Sequence, residues 1–422
     1  MKKYAILKVL FPAICLNMQA QQQTKAIIDT VFVPRYEFIN YDVNNIQVPG
    51  KKYERMNGFF QKIDNFMENG TGRVNILHIG GSHVQADMFP HQVRQNLDVF
   101  NGDCQPPRGL IFPFRVAKTN NPTNYSVSFS GVWESATNVQ RSREVPLGMS
   151  GIAVYTKDPS AQITVSLNTD KTTRYGFNHL HLIGGHSGDD SHDYVTPVLY
   201  HNDEIIEGFY DFLTTSYVFD LPEMSDNFTM GFIQSDTTMH KFIVNGFIPE
   251  NDVPAGIVYH SIGVNGASVP SYLRCEYFDD ELHLLNLDMV IFAIGINDAA
   301  SRDFSYESFY NDYKALLEKI ERVNPDCAFI FITNNDSFRR LARNRYQVNT
   351  NALVARQVFF QLAREHNAGV WDFFSIMGGL SSMQKWQDEK LAQADKIHFT
   401  RPGYLLIGDL FFNAFVNYYK NR

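Results

Sequence analysis

The chain has 422 residues, 44% hydrophobic and 14% aromatic, enough to bury large cores in two or three domains, so a disordered or fibrous protein is excluded. Its formal charge of −8 grows by three units if Lys2, Lys3 and Lys8 are removed. That balance argues against binding nucleic acid through its phosphates, and the acidic surface against a polyanionic substrate.

At the amino end Lys2 and Lys3 precede an apolar run, punctuated by Lys8 and Pro12, that closes on Met18-Gln19-Ala20 before three glutamines. This is the layout of a secretory signal peptide over residues 1–20, and it predicts export to the periplasm or cell surface. No later stretch approaches the ~20 uncharged apolar residues that span a bilayer, so no membrane span is expected. Without Cys15, the cysteines Cys104, Cys275 and Cys327 allow at most one bridge. Residues 21–50 read as irregular. The spacing of Met56, Phe59, Phe60, Ile63 and Met67 predicts a helix over Tyr53–Met67. Val74 to Ile79 is a short apolar run of strand length, broken by Gly80 and Gly81; Ser82 opens a segment that can turn into a helix, which is expected from about Val84 to Leu97 with Pro90 marking a kink or a late start.

From Leu110 to Tyr259 the texture changes to many short β-prone runs broken by Gly, Pro, Asn and Asp, such as Tyr125–Phe129, Ala161–Leu167, Phe228–Ile233 and Lys241–Phe247. So long a stretch is no loop; it predicts an inserted all-β domain, a sandwich or jelly roll. His179, His181, His186 and His192 invite a metal reading, but the HLHL alternation and the lack of nearby cysteines favour surface or core histidines, and no metal is expected. Asp288–Ile294, Ala328–Thr333 and Gly369–Phe373 then read as strands, with helices at Phe304–Val323, Asn351–Asn367 and Tyr404–Tyr419. That alternation predicts an α/β host with a mostly parallel sheet covered on both faces. The division expected is residues 21–109 and 260–422 for the host, with 110–259 inserted.

A serine at the carboxyl end of a strand is a candidate nucleophile, although capping the following helix is the commoner role for a serine there. Asp395-Lys396-Ile397-His398 precedes Thr400-Arg401-Pro402-Gly403 on a loop entering the last helix. An acid three residues before a histidine can fold back on one ring nitrogen and leave the other for a nucleophile. Ser261 to Ala267 is a glycine-bearing turn that can aim a backbone N–H, and Asn297 sits just past a strand end with an amide donor. Trp371, Asp372, Trp386 and Gly378-Gly379 offer a border for a sugar site, with burial in the core as the competing role for both tryptophans.

Together these residues resemble the SGNH, or GDSL-like, hydrolase superfamily: Ser82 in GGSH, Gly266 in GVNGA, Asn297 in GIND, and Asp395 with His398 in DKIH, in the family's order. The resemblance covers roughly residues 50–108 and 260–420. It implies a flavodoxin-like three-layer fold, Ser82 as nucleophile, His398 as general base, Asp395 as its orienting partner, and the Ser82 and Gly266 N–H groups with the Asn297 side chain as oxyanion hole. It implies no cofactor. One departure stands out: the aspartate usual before the serine is Gly81, which raises the question of what holds the turn. GGSHVQAD, GVNGA and the inserted β domain are similar to bacterial peptidoglycan O-acetylesterases, whose insert resembles a carbohydrate-binding module. The expected activity is removal of O-acetyl groups from a glycan, peptidoglycan first. The alternatives are acyl transfer, an esterase on another acetylated polysaccharide, and a non-catalytic glycan-binding surface protein.

Overall fold

Along three neighbouring strands the buried side chains alternate. Leu77 and Ile79, Val290 and Phe292, Phe329 and Phe331 enter one apolar cluster, whereas Val74 and Ile76, Met289 and Ile291, Ala328 and Ile330 enter another. Strands apolar on both sides belong in a sheet covered by helices on each face. The computed structural model, which describes residues 28–422 apart from 170–173, 187–188, 190–191, 203 and 343–344, has that arrangement. The expected signal peptide lies outside the described residues.

The central sheet has the order Ile46–Gln47, Gly369–Trp371, Ala328–Ile332, Met289–Ala293, Gly72–Gly80, Ala255–Gly263. Five strands are parallel and the short Ile46–Gln47 edge is antiparallel. In chain order the parallel strands run 2-1-3-4-5, the doubly wound order in which ligands collect beyond the strands' carboxyl ends. Helices Tyr306–Val323 and Asn351–Glu365 bury Phe309, Tyr313, Leu316, Val358 and Phe359 on one face. Glu54–Asn69, Met88–Leu97 and Arg401–Asn421 cover the other.

Between Ser126 and Glu250 lie two antiparallel sheets, of six and five strands. Rings of one meet rings of the other: Phe228 lies 5.8 Å from Phe177 and 4.9 Å from Phe247, and Phe232 lies 4.8 Å from Phe242. The boundary expected at 259/260 falls inside a strand, because Ala255–Gly263 runs parallel to Gly72–Gly80 along its whole length. Ser261–Gly263, expected to open the glycine-bearing turn, are the last residues of this strand, and the chain turns only from Val264.

The helix after Ser82 also differs from expectation. It stops at Gln85 and restarts at Met88, with Asp87 between them at φ 50°. Pro90 is not the break: in the first turn of the second helix its missing N–H costs no helical bond. A two-stranded hairpin, Phe338–Ala342 with Arg345–Val348, had no expectation attached to it. Among the described residues no helix is long and apolar enough to cross a membrane. Cys104, Cys275 and Cys327 are unpaired.

Candidate active site

The sharp turn at the end of the Gly72–Gly80 strand depends on close approach. A Cβ on Gly80 would stand 2.2 Å from Val84 Cγ2 and 2.9 Å from the Ala293 carbonyl oxygen, so only glycine lets the following helix fold back over the strand end. The Gly81 carbonyl then accepts from the N–H groups of Val84 and Gln85 at 3.1 and 2.9 Å, which leaves Ser82, half-buried, as first residue of the short helix beyond the strand end.

His398 meets it there. Ser82 Oγ lies 2.7 Å from His398 Nε2, and His398 Nδ1 lies 2.7 Å from Asp395 Oδ2. The other carboxylate oxygen of Asp395 accepts from the backbone N–H groups of Ile397 and His398 at 2.9 and 3.0 Å, so the loop closes on its own acid. Partial burial pushes the Asp395 carboxyl upward, but the hydrogen bonds from the His398 ring and from these two N–H groups outweigh it and bring it down to about 2. The pair is open to substrate: the His398 and Asp395 side chains are 32% and 44% exposed. Thr400 caps the following helix by accepting from Gly403 N–H, which fixes where the loop ends.

Asn297 lies in the short helix Ile296–Ala300 beyond the next strand and donates from Nδ2 to the Ala267 carbonyl at 2.8 Å. A primary amide has two such hydrogens, so one remains for a ligand. Ala267 belongs to the turn that carries Gly266, exposed at φ 80°, and a Cβ on Gly81 would sit 3.4 Å from the same Asn297 nitrogen. All five expected residues therefore come to one edge of the sheet.

Several residues around them carried no expectation. His83, next to Ser82, puts its ring 5.2 Å from that of His398 and its Nδ1 2.8 Å from Tyr404 Oη. Burial drives its imidazole down to about 3, so it stays neutral beside the general-base candidate. Tyr272 Oη donates to the Gly80 carbonyl at 2.8 Å, and Gln85 Oε1 accepts from Asn265 N–H at 2.7 Å. Asp87 accepts from Arg108 at 2.7 Å, Asn124 at 2.8 Å and Ser261 at 2.9 Å, and pairs with Arg94. Burial would raise its carboxyl, but the two guanidinium groups hold it well below the usual range. These contacts brace the turn around Ser82, where Gly81 has no side chain to do so. The signal for them was in GGSHVQAD itself, where polar residues recur in a segment too apolar around them to be solvated.

The tryptophans do not border a sugar site: Trp371 and Trp386 are fully buried, and buried Asp372 pairs with Arg356. The four histidines of the β region have separate partners: Asp220 and Asp252 for His179, Ser216 for His181, Glu281 for His186, and the Gly185 carbonyl for His192. No group of three or more His, Cys, Asp or Glu is placed to hold a metal ion among the described residues.

Residues 246–406 match the GDSL-like Lipase/Acylhydrolase family. The match takes in Gly266, Asn297, Asp395 and His398 and stops short of Ser82, which the insertion separates from them in sequence and the sheet brings back beside them. The chain thus carries a GDSL-like acylhydrolase domain, and the class it defines is a serine ester hydrolase. A solved peptidoglycan O-acetylesterase superposes with a TM-score of 0.68 at 18% identity, covering 89% of this chain and 99% of its own, so the two share a fold including the added β sheets. A lipase/acylhydrolase from Enterococcus faecalis aligns over 38% of this chain and 77% of its own, with TM-score 0.31 and 21% identity. An acetyl xylan esterase aligns over 37% of this chain and 81% of its own, with TM-score 0.31 and 20% identity. No curated protein matches the chain.

Proposed function

We propose that the protein is an exported carbohydrate esterase that removes O-acetyl groups from a glycan, peptidoglycan first among them, through an acyl-enzyme on Ser82. The observation that carries this reading is the unbroken hydrogen-bonded line from Ser82 Oγ through His398 to Asp395, partly open to solvent beside Asn297. His398 Nε2 takes the Ser82 proton as Oγ attacks the ester carbonyl, and Asp395 holds the ring by Nδ1 and stabilises the imidazolium that forms. The carbonyl oxygen, becoming an oxyanion, takes hydrogen bonds from the Ser82 and Gly266 N–H groups and the free Asn297 hydrogen. As the intermediate collapses, the bond from the acyl carbon to the sugar oxygen breaks and the imidazolium gives its proton to that oxygen, which leaves as the free sugar hydroxyl. Water then repeats the sequence on the acyl-enzyme, releasing acetate.

The glycan part of the reading is supported by the named activity of the O-acetylesterase that shares the fold and by the two packed antiparallel sheets, read as a carbohydrate-binding β-sandwich overhanging the pocket. The test is acetate release from O-acetylated peptidoglycan, acetyl-xylan and a chromogenic acetate, by the wild type and by Ser82→Ala. Release from all three by both proteins would refute the mechanism; release from none by the wild type would refute the activity.

A further inference from the structure

Residues 337–364 hold six arginines and not one Asp or Glu, in a chain whose net charge is −8. Arg356 is neutralised by Asp372. Arg339, Arg340 and Arg345 belong to the Phe338–Ala342/Arg345–Val348 hairpin, and none of them forms an ion pair with any described residue.

The hairpin grows out of the sheet edge where Ser82 and His398 meet. It follows the carboxyl end of the Ala328–Ile332 strand, and its root is tied to the two loops that carry the site. Phe338 N–H donates to the Lys396 carbonyl at 3.1 Å, and Asn335 Nδ2 donates to the Ile397 carbonyl at 3.1 Å, both acceptors lying between Asp395 and His398. On the other side Arg339 donates to the Ala299 carbonyl at 2.7 Å, and so does Asn349 at 3.1 Å, two residues beyond Asn297. Strand alternation puts Phe338 and Arg340 on one face, with Tyr346 opposite Arg340. That face is turned toward the catalytic loop, because the Lys396 ammonium lies over the rings of Phe338, at 4.8 Å, and Tyr346, at 5.3 Å. Lys396 donates to the neutral Gln384, so its charge is also uncompensated. Arg340 and Arg345 are exposed.

We infer that this hairpin is a cationic flap that binds a carboxylate of the substrate, so that the preferred glycan carries carboxylates near its acetyl ester. The inference rests on the esterase reading above. A forked guanidinium recognises a carboxylate through paired N–H groups, and an uncompensated cation cluster on an acidic protein concentrates anions at that one place. The carboxylate has two chemical sources, a uronic acid within the chain or a lactyl or peptide carboxyl attached to an amino sugar.

The experiment compares kcat/KM of the wild type and the double variant Arg340→Gln/Arg345→Gln on acetylated polygalacturonate, O-acetylated peptidoglycan and neutral acetyl-xylan, at low and high salt, with thermal melting to confirm folding. We expect the ratio of anionic to neutral kcat/KM to fall roughly five- to tenfold in the variant, about 1–1.4 kcal/mol for the two surface contacts together. Salt should lower the wild-type ratio in the same direction. A response on polygalacturonate alone assigns the uronate, and one on peptidoglycan alone the lactyl or peptide carboxyl. A ratio that neither the substitutions nor salt moves on either anionic polymer overturns the inference. Absence of turnover on a chromogenic acetate would sink the esterase reading instead. In that case calorimetric binding of de-O-acetylated polygalacturonate and of peptidoglycan fragments decides the flap: binding weakened in the variant upholds it, and equal or absent binding overturns it.

Discussion

Asn297→Ala separates a residue that binds the transition state from one that merely holds a turn. In the structure one amide hydrogen is committed to the Ala267 carbonyl at 2.8 Å and the other is available to the ester oxygen. Losing the first bond, partly buried and between neutral groups, costs about 1 kcal/mol of stability. Losing the second removes one of three oxyanion donors, about 3–4 kcal/mol of transition-state stabilisation, or ~10²–10³ in kcat. Because that bond strengthens only as charge develops on the oxygen, KM should hardly change. Steady-state kinetics on a chromogenic acetate, with a melting curve on the same preparation, reads both quantities. A loss below about fivefold, or one carried wholly by KM, would refute the oxyanion assignment and leave Asn297 a turn residue. A large loss of stability matching the loss of rate would do the same.

Other perturbations give further outcomes. His398→Ala should remove nearly all activity, and Asp395→Ala should be roughly 10–100-fold milder, since the loop keeps the ring near its place; equal losses in kcat would refute a purely orienting role for Asp395. Asp298, whose carboxyl burial pushes up to about 7 despite the hydrogen bond from Val269 N–H, keeps its proton in the folded state over a range where the unfolded chain has lost it. Its contribution to stability is therefore full below about pH 4 and lost as pH rises toward 7. Asp298→Asn should flatten that decline by about 1–2 kcal/mol, less than the whole shift because the carboxyl still touches solvent, and an unaltered pH dependence of denaturant midpoints would exclude it. Glu281, fully buried, accepts from Met149 N–H, Asn245 and His186, all in the inserted region. Glu281→Leu in the full chain should strand the Met149 N–H and the Asn245 amide without their acceptor and lower the melting temperature, and an unchanged melting temperature would mean these bonds carry no stability.

The α/β frame was legible because both-sided apolar strands and amphipathic helices leave strong periods, and the candidate site left a trace because Ser82, Gly266 and Asn297 follow strand ends and Asp395 and His398 lie on a loop between helices, where only turn chemistry competes. Tertiary effects hid the rest. The break at Asp87 arises from a carboxylate pinned by Arg94 and Arg108, and no local pattern announces arginines that distant. The end of the Ala255–Gly263 strand read as turn because of Gly263, a glycine required there because a Cβ would stand 2.5 Å from Gln85 N. The arginine hairpin was lost because a short polar strand pair has the composition of a loop. Position 81 is the converse case: the sequence raised a question about rigidity, and the answer lay in Tyr272, Gln85 and Asp87.

The central claim is a covalent acetyl group on Ser82. The direct measurement is peptide mass spectrometry after acid quench of the enzyme with excess acetate ester in the first turnovers. The account predicts acetyl on the peptide holding Ser82, absent from Ser82→Ala and prolonged when Asn297 is replaced. Acetyl on another residue, or full turnover by Ser82→Ala, would contradict it.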